Sequence, residues 1–145
     1  MKIYLDNCCY NRPFDDQSQL RVHVEALSKM KIQKEITEGT HKLVTSIVLD
    51  FENSKNRDET SSGKIQMFMD TWKSEYIDEK TFANLIPLRE EIKAEGIKTA
   101  DASHLACAIH AGCDYFITTD DRLFNYKGGR IKVISPVDFI TIEEE

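Results

Sequence analysis

The chain has 145 residues, of which 41% are hydrophobic and 30% charged, and its formal net charge is −6. This composition excludes the disordered and fibrous classes, and a net negative charge does not by itself attract nucleic acid. No apolar run approaches the roughly 20 residues that span a bilayer, and the N-terminus lacks the pattern of a secretory signal. We therefore expect a single cytoplasmic domain over residues 1–145, without a membrane partner.

The cysteines match neither a zinc knuckle nor a CxxC redox motif. They are Cys8, Cys9, Cys107 and Cys113. Two of them are adjacent, so a strand or helix would point their side chains in different directions. We expect buried, reduced thiols that pack as small apolar side chains.

The first half of the chain alternates short apolar runs with helical patterns. A strand is predicted at residues 3–5, a loop at 11–16 because of its proline, and a helix over about 18–38. The apolar stripe of that helix is expected at Leu20, Val24, Leu27, Met30 and Ile36. A second strand is predicted at 42–45, and Ser46 is expected to cap the helix that follows.

The second half continues this alternation. Helices are predicted over about 62–73 and 79–95, the latter with a kink or break at Pro87, and a strand at 75–77. Thr99 is expected to cap a helix that ends at Gly112. The remaining predictions are a strand at 115–117, a short turn or helix at 121–126, a strand at 131–134, a helical turn at 136–140 and a solvent-exposed tail at 143–145.

Strands that alternate with helices predict an α/β fold, a three-layer α/β/α sandwich on a mostly parallel sheet. In such sheets ligands bind outside the carboxyl ends of the strands. Asp6 follows the first strand and Asp120 follows the strand at 115–117, while Glu52 and Asp101 lie on predicted helices. We therefore expect these four acids toward one edge of the sheet.

Four carboxylates at one place raise one another's pKa, so such a cluster is retained mainly where a cation neutralises it. Mg²⁺ or Mn²⁺ prefers carboxylate and water oxygens and can activate water for attack on a phosphodiester. Each acid also has a structural interpretation: Asp6 as a turn residue, Asp101 as a helix-dipole partner, Glu52 as a surface residue in competition with Asp50, and Asp120 as a cap. Together we interpret the four acids as a metal site.

Polar side chains beside the acids are candidates for holding ligands or water by hydrogen bonds. They are Asn7, Ser46, Asn53, Thr118 and Thr119. His104 lies three residues after Asp101 on the same helical face, which leaves open either a mixed set of aspartate and histidine ligands or packing of His104 on the sheet.

Three segments in this order resemble the PIN domain, a small metal-dependent nuclease fold that includes the toxins of many prokaryotic toxin–antitoxin pairs. The resemblance covers nearly the whole chain. It rests on residues 3–6, on 46–52, and on 101–106 together with 115–120.

The resemblance implies that Asp6, Glu52, Asp101 and Asp120 bind Mg²⁺ or Mn²⁺. The family spacing of six residues from serine to glutamate selects Glu52, and Asp121 takes the place of Asp120 if the loop is shifted by one residue. Family members usually have Thr or Ser where this chain has Asn7.

The implied function is that of an endoribonuclease, which hydrolyses RNA to leave a 5′-phosphate and a 3′-hydroxyl. Asp6 and Asp101 are expected to bind the metal directly, while Glu52 and Asp120 hold ligands or metal-bound waters. An antitoxin-like protein partner and a homodimer are implied as well, with the apolar helices before Lys73 as a candidate dimer surface.

Basic side chains near the acids are predicted to steer the RNA substrate, and each is alternatively an ordinary solvated charge. They are Arg12, Lys55, Arg57 and Arg122.

Two other function classes stay open. A non-catalytic PIN-like binding module would keep the acids without cleaving RNA. A phospho-receiver-like signalling domain also places acids at strand ends around Mg²⁺, although this chain shows no convincing lysine after a late strand. Phosphatases with a DxD motif need a second acid, which Asp6-Asn7-Cys8 lacks, and no GxGxxG follows the first strand.

Overall fold

The computed structural model of the chain describes residues 1–143. At its centre lies a sheet with the spatial order β3-β2-β1-β4-β5, in which all pairings among the described strands are parallel. The strands are β1 (Lys2–Leu5), β2 (Lys42–Ser46), β3 (Lys73–Ile77), β4 (Tyr115–Ile117) and β5 (Lys132–Ile134). All five were predicted, and their bounds shift by at most two residues.

Eight α-helices flank this sheet within residues 1–143. They are α1 (Asn7–Asn11), α2 (Leu20–Thr37), α3 (Ile47–Ser54), α4 (Glu59–Trp72), α5 (Glu79–Ala83), α6 (Ile86–Lys93), α7 (Thr99–His110) and α8 (Pro136–Glu143). Two short 3₁₀ helices cover Arg12–Phe14 and Asp121–Asn125. The predicted three-layer α/β/α architecture is confirmed. Among the described helices, none combines the length and apolar character that crossing a bilayer requires.

The core is built around the central strands. Ile3, Tyr4 and Leu5 of β1 are fully buried, as are Phe116 and Ile117 of β4. A continuous run of buried residues is typical of parallel strands that are covered on both faces. The rings of Tyr4 and Phe116 stack with centroids 5.4 Å apart. Asp6 and Thr118, which follow β1 and β4, are therefore attached to tightly packed strands.

The segment predicted as a loop at 11–16 is largely helical. Helix α1 ends at Asn11, and a 3₁₀ helix follows at once with Pro13 in its first turn, where a missing N–H removes no hydrogen bond. Helix α1 itself has no counterpart among the predicted elements, because five residues are too few to show a helical period.

Helix α2 lies where it was predicted, but its predicted inward stripe is largely wrong. Of the five stripe residues only Ile36 is buried; the others are 36% to 77% exposed, namely Leu20, Val24, Leu27 and Met30. The buried face carries Glu25 and Lys29 beside apolar side chains. Glu25 forms ion pairs with arginines, and the Lys29 ammonium lies over two aromatic rings. Partners from elsewhere in the fold thus allow charged residues to take the inner face.

The helical pattern over 79–95 breaks as expected. Helix α5 ends at Ala83, and Pro87 stands in the first turn of α6. The predicted cap Thr99 is instead the first residue of α7, and Lys98 precedes it without a side-chain capping bond. Gly112, with a φ of 71°, lies two residues beyond the end of α7 in a conformation that favours glycine.

The prediction of a solvent-exposed tail at 143–145 is wrong for Glu143. Glu143 ends α8, and its side chain is within hydrogen-bond distance of His41. Glu144 and Glu145, the rest of the predicted tail, lie outside the described residues. The cysteine prediction is confirmed, because all four thiols are free and Cys9, Cys107 and Cys113 are buried. Burial raises the pKa of Cys107 and Cys113 to about 12, which keeps these thiols protonated.

Helix α8 is anchored by Phe139, which is fully buried and meets the rings of His41 and Tyr115 edge to face. We expect Phe139→Ala to lower the free energy of unfolding by about 3–4 kcal/mol, because it leaves a cavity in a packed core. Ile142→Ala on the same helix is the matched control; its side chain is 39% exposed. The control should lose less than about 1 kcal/mol. Urea unfolding followed by circular dichroism measures both, and equal losses would contradict this packing.

Candidate metal centre

The candidate centre lies at the carboxyl end of β1, where the strand order of the sheet reverses. β1 pairs with β2 on one side and with β4 on the other. This is the topological switch point of a parallel sheet, and its crevice is the usual place for a ligand.

Asp6 sits between β1 and β4 and is buried. Its Oδ1 accepts a hydrogen bond from the backbone N–H of Asn7 at 2.8 Å, which caps α1. Its Oδ2 accepts a bond from the Thr118 hydroxyl at 2.8 Å. Asp6 therefore has a local structural role, as the cap of α1, and at the same time lies in the candidate site. Asn7 acts on Asp6 through its backbone, whereas Thr118 acts through its side chain.

His104 of α7 joins Glu52 to Asp6. Its Nε2 lies 2.8 Å from Oε1 of Glu52 and 3.9 Å from Oδ1 of Asp6. Its Nδ1 lies 2.7 Å from the Tyr4 hydroxyl, which is also 2.7 Å from Oγ of Ser46. Ser46 in turn accepts a bond from the first turn of α3, as predicted for its cap. A continuous chain of polar contacts thus runs from the sheet to Glu52.

Charge on His104 is favoured by its acidic neighbours. Burial opposes the protonated ring, but the hydrogen bond to Glu52 and the charges of Asp6, Glu52 and Asp101 outweigh burial, so the pKa of His104 is raised. With both ring nitrogens protonated, Nε2–H donates to Glu52 and Nδ1–H donates to the Tyr4 oxygen. The acids around His104 thus favour the protonated form of its ring.

Asp101 lies in the first turn of α7 and is half-buried. Burial and the negative charges of Asp6 and Asp120 raise the pKa of Asp101. The carboxylates of these three residues are thus close enough to repel one another. Asp120 is held by Arg122, whose Nε and Nη2 donate at 3.1 and 2.8 Å. The Arg122 guanidinium lowers the pKa of Asp120.

The two alternative acids have other partners. Asp121 is exposed and accepts two hydrogen bonds from Arg21 at 2.7 and 2.9 Å. Asp50 accepts bonds from the Tyr76 hydroxyl at 2.6 Å and from Gln66 at 2.9 Å. The structure therefore brings Asp120 and Glu52 to the cluster, and it engages Asp121 and Asp50 elsewhere.

Among the flanking polar residues, Asn53 does not join the cluster. Its amide donates to the backbone of Ser62 and to the side chain of Gln66, which fastens α3 to α4. Thr119 is buried, and its backbone carbonyl accepts a bond from Arg21. Sequence reasoning missed Tyr4 altogether, because an apolar strand run gives no sign that its hydroxyl meets a histidine.

The chemistry of the four acids fits a hard divalent cation such as Mg²⁺ or Mn²⁺, since all of them offer carboxylate oxygens. In the described part of the chain, no three of these acids bring ligand atoms within 4.8 Å of one another. His104 holds Glu52 and Arg122 holds Asp120. A cation that uses all four acids must therefore compete with both ion pairs, whereas Asp6 and Asp101 form no ion pair shorter than 3.9 Å within residues 1–143.

An apolar groove of about 610 Å³ lies beside Glu52. Phe51 and Phe82 line it, and the Lys55 ammonium is 4.2 Å from the centroid of the Phe51 ring. Arg89 also borders the groove. The groove thus offers aromatic faces and cationic groups next to the acids.

The other basic residues predicted to steer a substrate differ in how far their charge is compensated. Arg12 forms ion pairs with Asp15 and with the buried Glu25. Arg57 is exposed. The charge of Arg12 is thus engaged within the protein, and that of Arg57 faces solvent.

The fold is shared with solved structures, although no protein-family model and no curated protein sequence matches the chain. The crystal structure of VapBC2 from Rickettsia felis, bound to a DNA fragment from their promoter, contains a chain with a TM-score of 0.60 and 14% identity, over 93% of this chain and 98% of that chain. A chain of FitAB bound to an IR36 DNA fragment has a TM-score of 0.58 and 18% identity, over 93% of this chain and 95% of that chain. At these identities the likeness is one of fold, and the expected PIN-like fold is confirmed.

Asp101→Asn should stabilise the metal-free protein at pH 7. The pKa of Asp101 is raised in the folded state, so stability is lost as the pH rises through that pKa, and the amide removes this loss. We expect a gain between a few tenths and about 1 kcal/mol, since solvent screens a half-buried carboxylate. The gain should vanish below about pH 4, where the unfolded carboxyl is protonated too. Urea unfolding in the presence of a chelator measures it.

Asp121→Asn is the matched control with the opposite sign. The Arg21 guanidinium lowers the pKa of Asp121, so its contribution to stability is present at neutral pH and is lost as the pH falls. This variant should be less stable than the wild type at pH 7. A gain in both variants would contradict the specific repulsion at Asp101.

Proposed function

We propose that the chain is a metal-dependent endoribonuclease that hydrolyses RNA phosphodiester bonds with Mg²⁺ or Mn²⁺ held by Asp6, Glu52, Asp101 and Asp120. One observation carries this proposal: at the switch point of the sheet the Asp101 carboxylate lies near those of Asp6 and Asp120, whose charges repel it. Such repulsion is relieved by a divalent cation. The PIN-like fold supports the same reaction class.

Each acid has a distinct part in the proposed site. Asp6 and Asp101 hold the cation directly, and Asp6 is oriented in advance by Asn7 and Thr118. Glu52 and Asp120 hold ligands or waters around it. When bound, the ion supplies charge stabilisation for the phosphodiester and lowers the pKa of a water.

His104 is a positioning residue in this proposal. It holds Glu52 at 2.8 Å, and Tyr4 fixes the orientation of its ring. Hydrolysis adds water across the phosphorus–O3′ bond, so the products are a 5′-phosphate and a 3′-hydroxyl that takes up a proton.

The groove beside Glu52 is the proposed seat of a nucleotide next to the cleaved bond. Phe51 and Phe82 offer faces on which a base can stack, and Lys55 offers a charge for the neighbouring phosphate. Arg57 and Arg122 remain proposed steering groups. Arg12 is the weakest of the proposed set because two carboxylates already engage it.

We also propose an antitoxin-like protein partner, a homodimer and a cytoplasmic location. Two proteins with this fold are described as VapBC2 and FitAB bound to DNA, which supports a search for such a partner. The exposed apolar side chains of α2 are the proposed dimer surface. Co-purification with the product of an adjacent reading frame tests the first proposal, and sedimentation equilibrium tests the second.

A second candidate function is a non-catalytic PIN-like binding module. One observation favours it: His104 and Arg122 already engage Glu52 and Asp120, each at 2.8 Å. Such a module would bind its partner without cleaving RNA.

Asp101→Asn and Asp6→Asn should each lower the rate of Mg²⁺-dependent cleavage of a 5′-labelled single-stranded RNA by about 100- to 1,000-fold. The physical reason is the loss of a charged group aimed at the reacting centre. Gel analysis of the fragments gives the rate and the end groups.

Asp121→Asn is the matched control for this experiment and should retain wild-type cleavage, because Asp121 pairs with Arg21. Metal binding without cleavage by the wild type would favour the binding module. Cleavage that persists in Asp101→Asn would contradict the proposed site.

Phe51→Ala should raise the KM for single-stranded RNA by about 5- to 100-fold and leave kcat nearly unchanged, because it removes one stacking face. Met67→Ala on α4 is the control, since Met67 is exposed and is not among the groove residues. Steady-state kinetics on a short oligonucleotide separate the two constants. An unchanged KM would place the nucleotide outside this groove.

A further inference from the structure

A second group of metal-ligating side chains lies at the amino end of the strands, away from the candidate metal centre. Glu35 comes from the last turn of α2, His41 precedes β2, and Glu143 ends α8. We call these three residues the amino-edge triad. Three segments that are far apart in sequence meet in it.

The triad has the spacing of a metal site. His41 Nε2 lies 2.9 Å from Oε2 of Glu143 and 3.7 Å from Oε1 of Glu35. One ligand atom from each residue lies within 4.8 Å of the other two. Ligands at about 2.0–2.2 Å from one zinc ion are separated by distances of this order.

Burial makes the triad costly without a further partner. The His41 side chain is 3% exposed, and those of Glu35 and Glu143 are 18% and 13% exposed. Burial and contact with the Glu143 carboxyl raise the pKa of Glu35, although His41 and Lys31 act in the opposite direction. Burial and the charge of the N-terminal amino group lower the pKa of His41. The His41 imidazole faces both carboxyl groups, and its neutral form is the one that binds metals.

Unpaired polar atoms are a separate indication of a missing partner. Oε1 of Glu35 and Oε1 of Glu143 are buried, and neither has a hydrogen-bond partner among the described residues. His41, which is more than nine-tenths buried, points Nε2 between the two carboxyl groups, while its Nδ1 is also unpaired within residues 1–143. Buried carboxylate oxygens without a donor are rare in folded proteins, and a cation or a water is their usual partner.

We propose that the amino-edge triad binds one divalent transition-metal ion of the zinc class through Nε2 of His41 and one oxygen each of Glu35 and Glu143. Imidazole together with carboxylates suits Zn²⁺, whereas Mg²⁺ prefers oxygen ligands alone. Water completes the coordination. The bound ion ties α2, β2 and α8 together, so its effect is on stability, and the site is independent of the proposed nuclease activity.

The test is a titration of the chelator-stripped full chain with Zn²⁺ alone, in excess Mg²⁺, by calorimetry and thermal unfolding. We expect one equivalent to bind and to raise the Tm. Glu35→Gln, which keeps size and polarity, should weaken binding at least about tenfold and abolish the rise in Tm. Glu38→Gln is the matched control, because Glu38 is exposed on the same helical end and pairs with Lys34. It should bind like the wild type.

Asp101→Asn separates this site from the candidate metal centre and should retain the zinc equivalent. Nitrogen NMR of the histidines gives a direct readout, since zinc should shift the Nε2 signal of His41 and leave that of His104 in place. His41→Asn is informative where circular dichroism shows that it folds, and Glu35→Gln serves otherwise.

Several results would overturn the proposal. Equal affinity in Glu35→Gln and Glu38→Gln would remove Glu35 as a ligand. Loss of zinc in Asp101→Asn would assign the ion to the other site. If the wild type binds no zinc and Glu35 and Glu143 share a proton, the triad contains a protonated carboxyl pair and is not a metal site.

Discussion

The carboxylates of Asp6, Asp101 and Asp120 repel one another at one edge of a small parallel sheet, and this repulsion is the constraint on which the site depends. Glu52 joins them through His104. His104 contacts Glu52 at 2.8 Å from inside the cluster, and Arg122 holds Asp120. Asp101 has no ion pair within 4.0 Å in the described part of the chain, and burial with the charges of Asp6 and Asp120 raises its pKa. The repulsion at Asp101 is thus not relieved by an ion pair of its own within residues 1–143.

Short hydrogen bonds connect the side chains of the site to the tightly packed strands of the sheet. Thr118 sets Asp6 from β4, while Tyr4 sets His104 from β1. Both supporting residues are fully buried, and the Tyr4 ring stacks on Phe116, so their hydroxyls have little freedom to move. Groups held in this way need little reorganisation when a ligand arrives, which is the property that catalytic and metal sites share.

Much of this could be predicted from the sequence, because central parallel strands leave continuous apolar runs and their ends locate the acids. The inner face of α2 could not be predicted, because Glu25 is buried there through ion pairs with Arg12 and Arg21. Hydrophobic periodicity does not detect such ion pairs. The contact of His104 with Tyr4 spans 100 residues, which local pattern reasoning cannot see. The motifs thus locate the acids, and tertiary contacts decide what surrounds them.

The strand order also determines the stage of synthesis at which the site can form. β1 is synthesised well before its neighbour β4, and the Thr118 hydroxyl that follows β4 reaches Asp6 across 112 positions of sequence. Pairings of such long range close late in folding, after the local helices have formed. A ribosome-bound chain that has emerged only as far as α6 lacks α7, which carries Asp101. It also lacks β4 and the following Thr118, whose hydroxyl holds Asp6. The acidic pocket consequently remains unassembled until α7 and β4 have both left the ribosome.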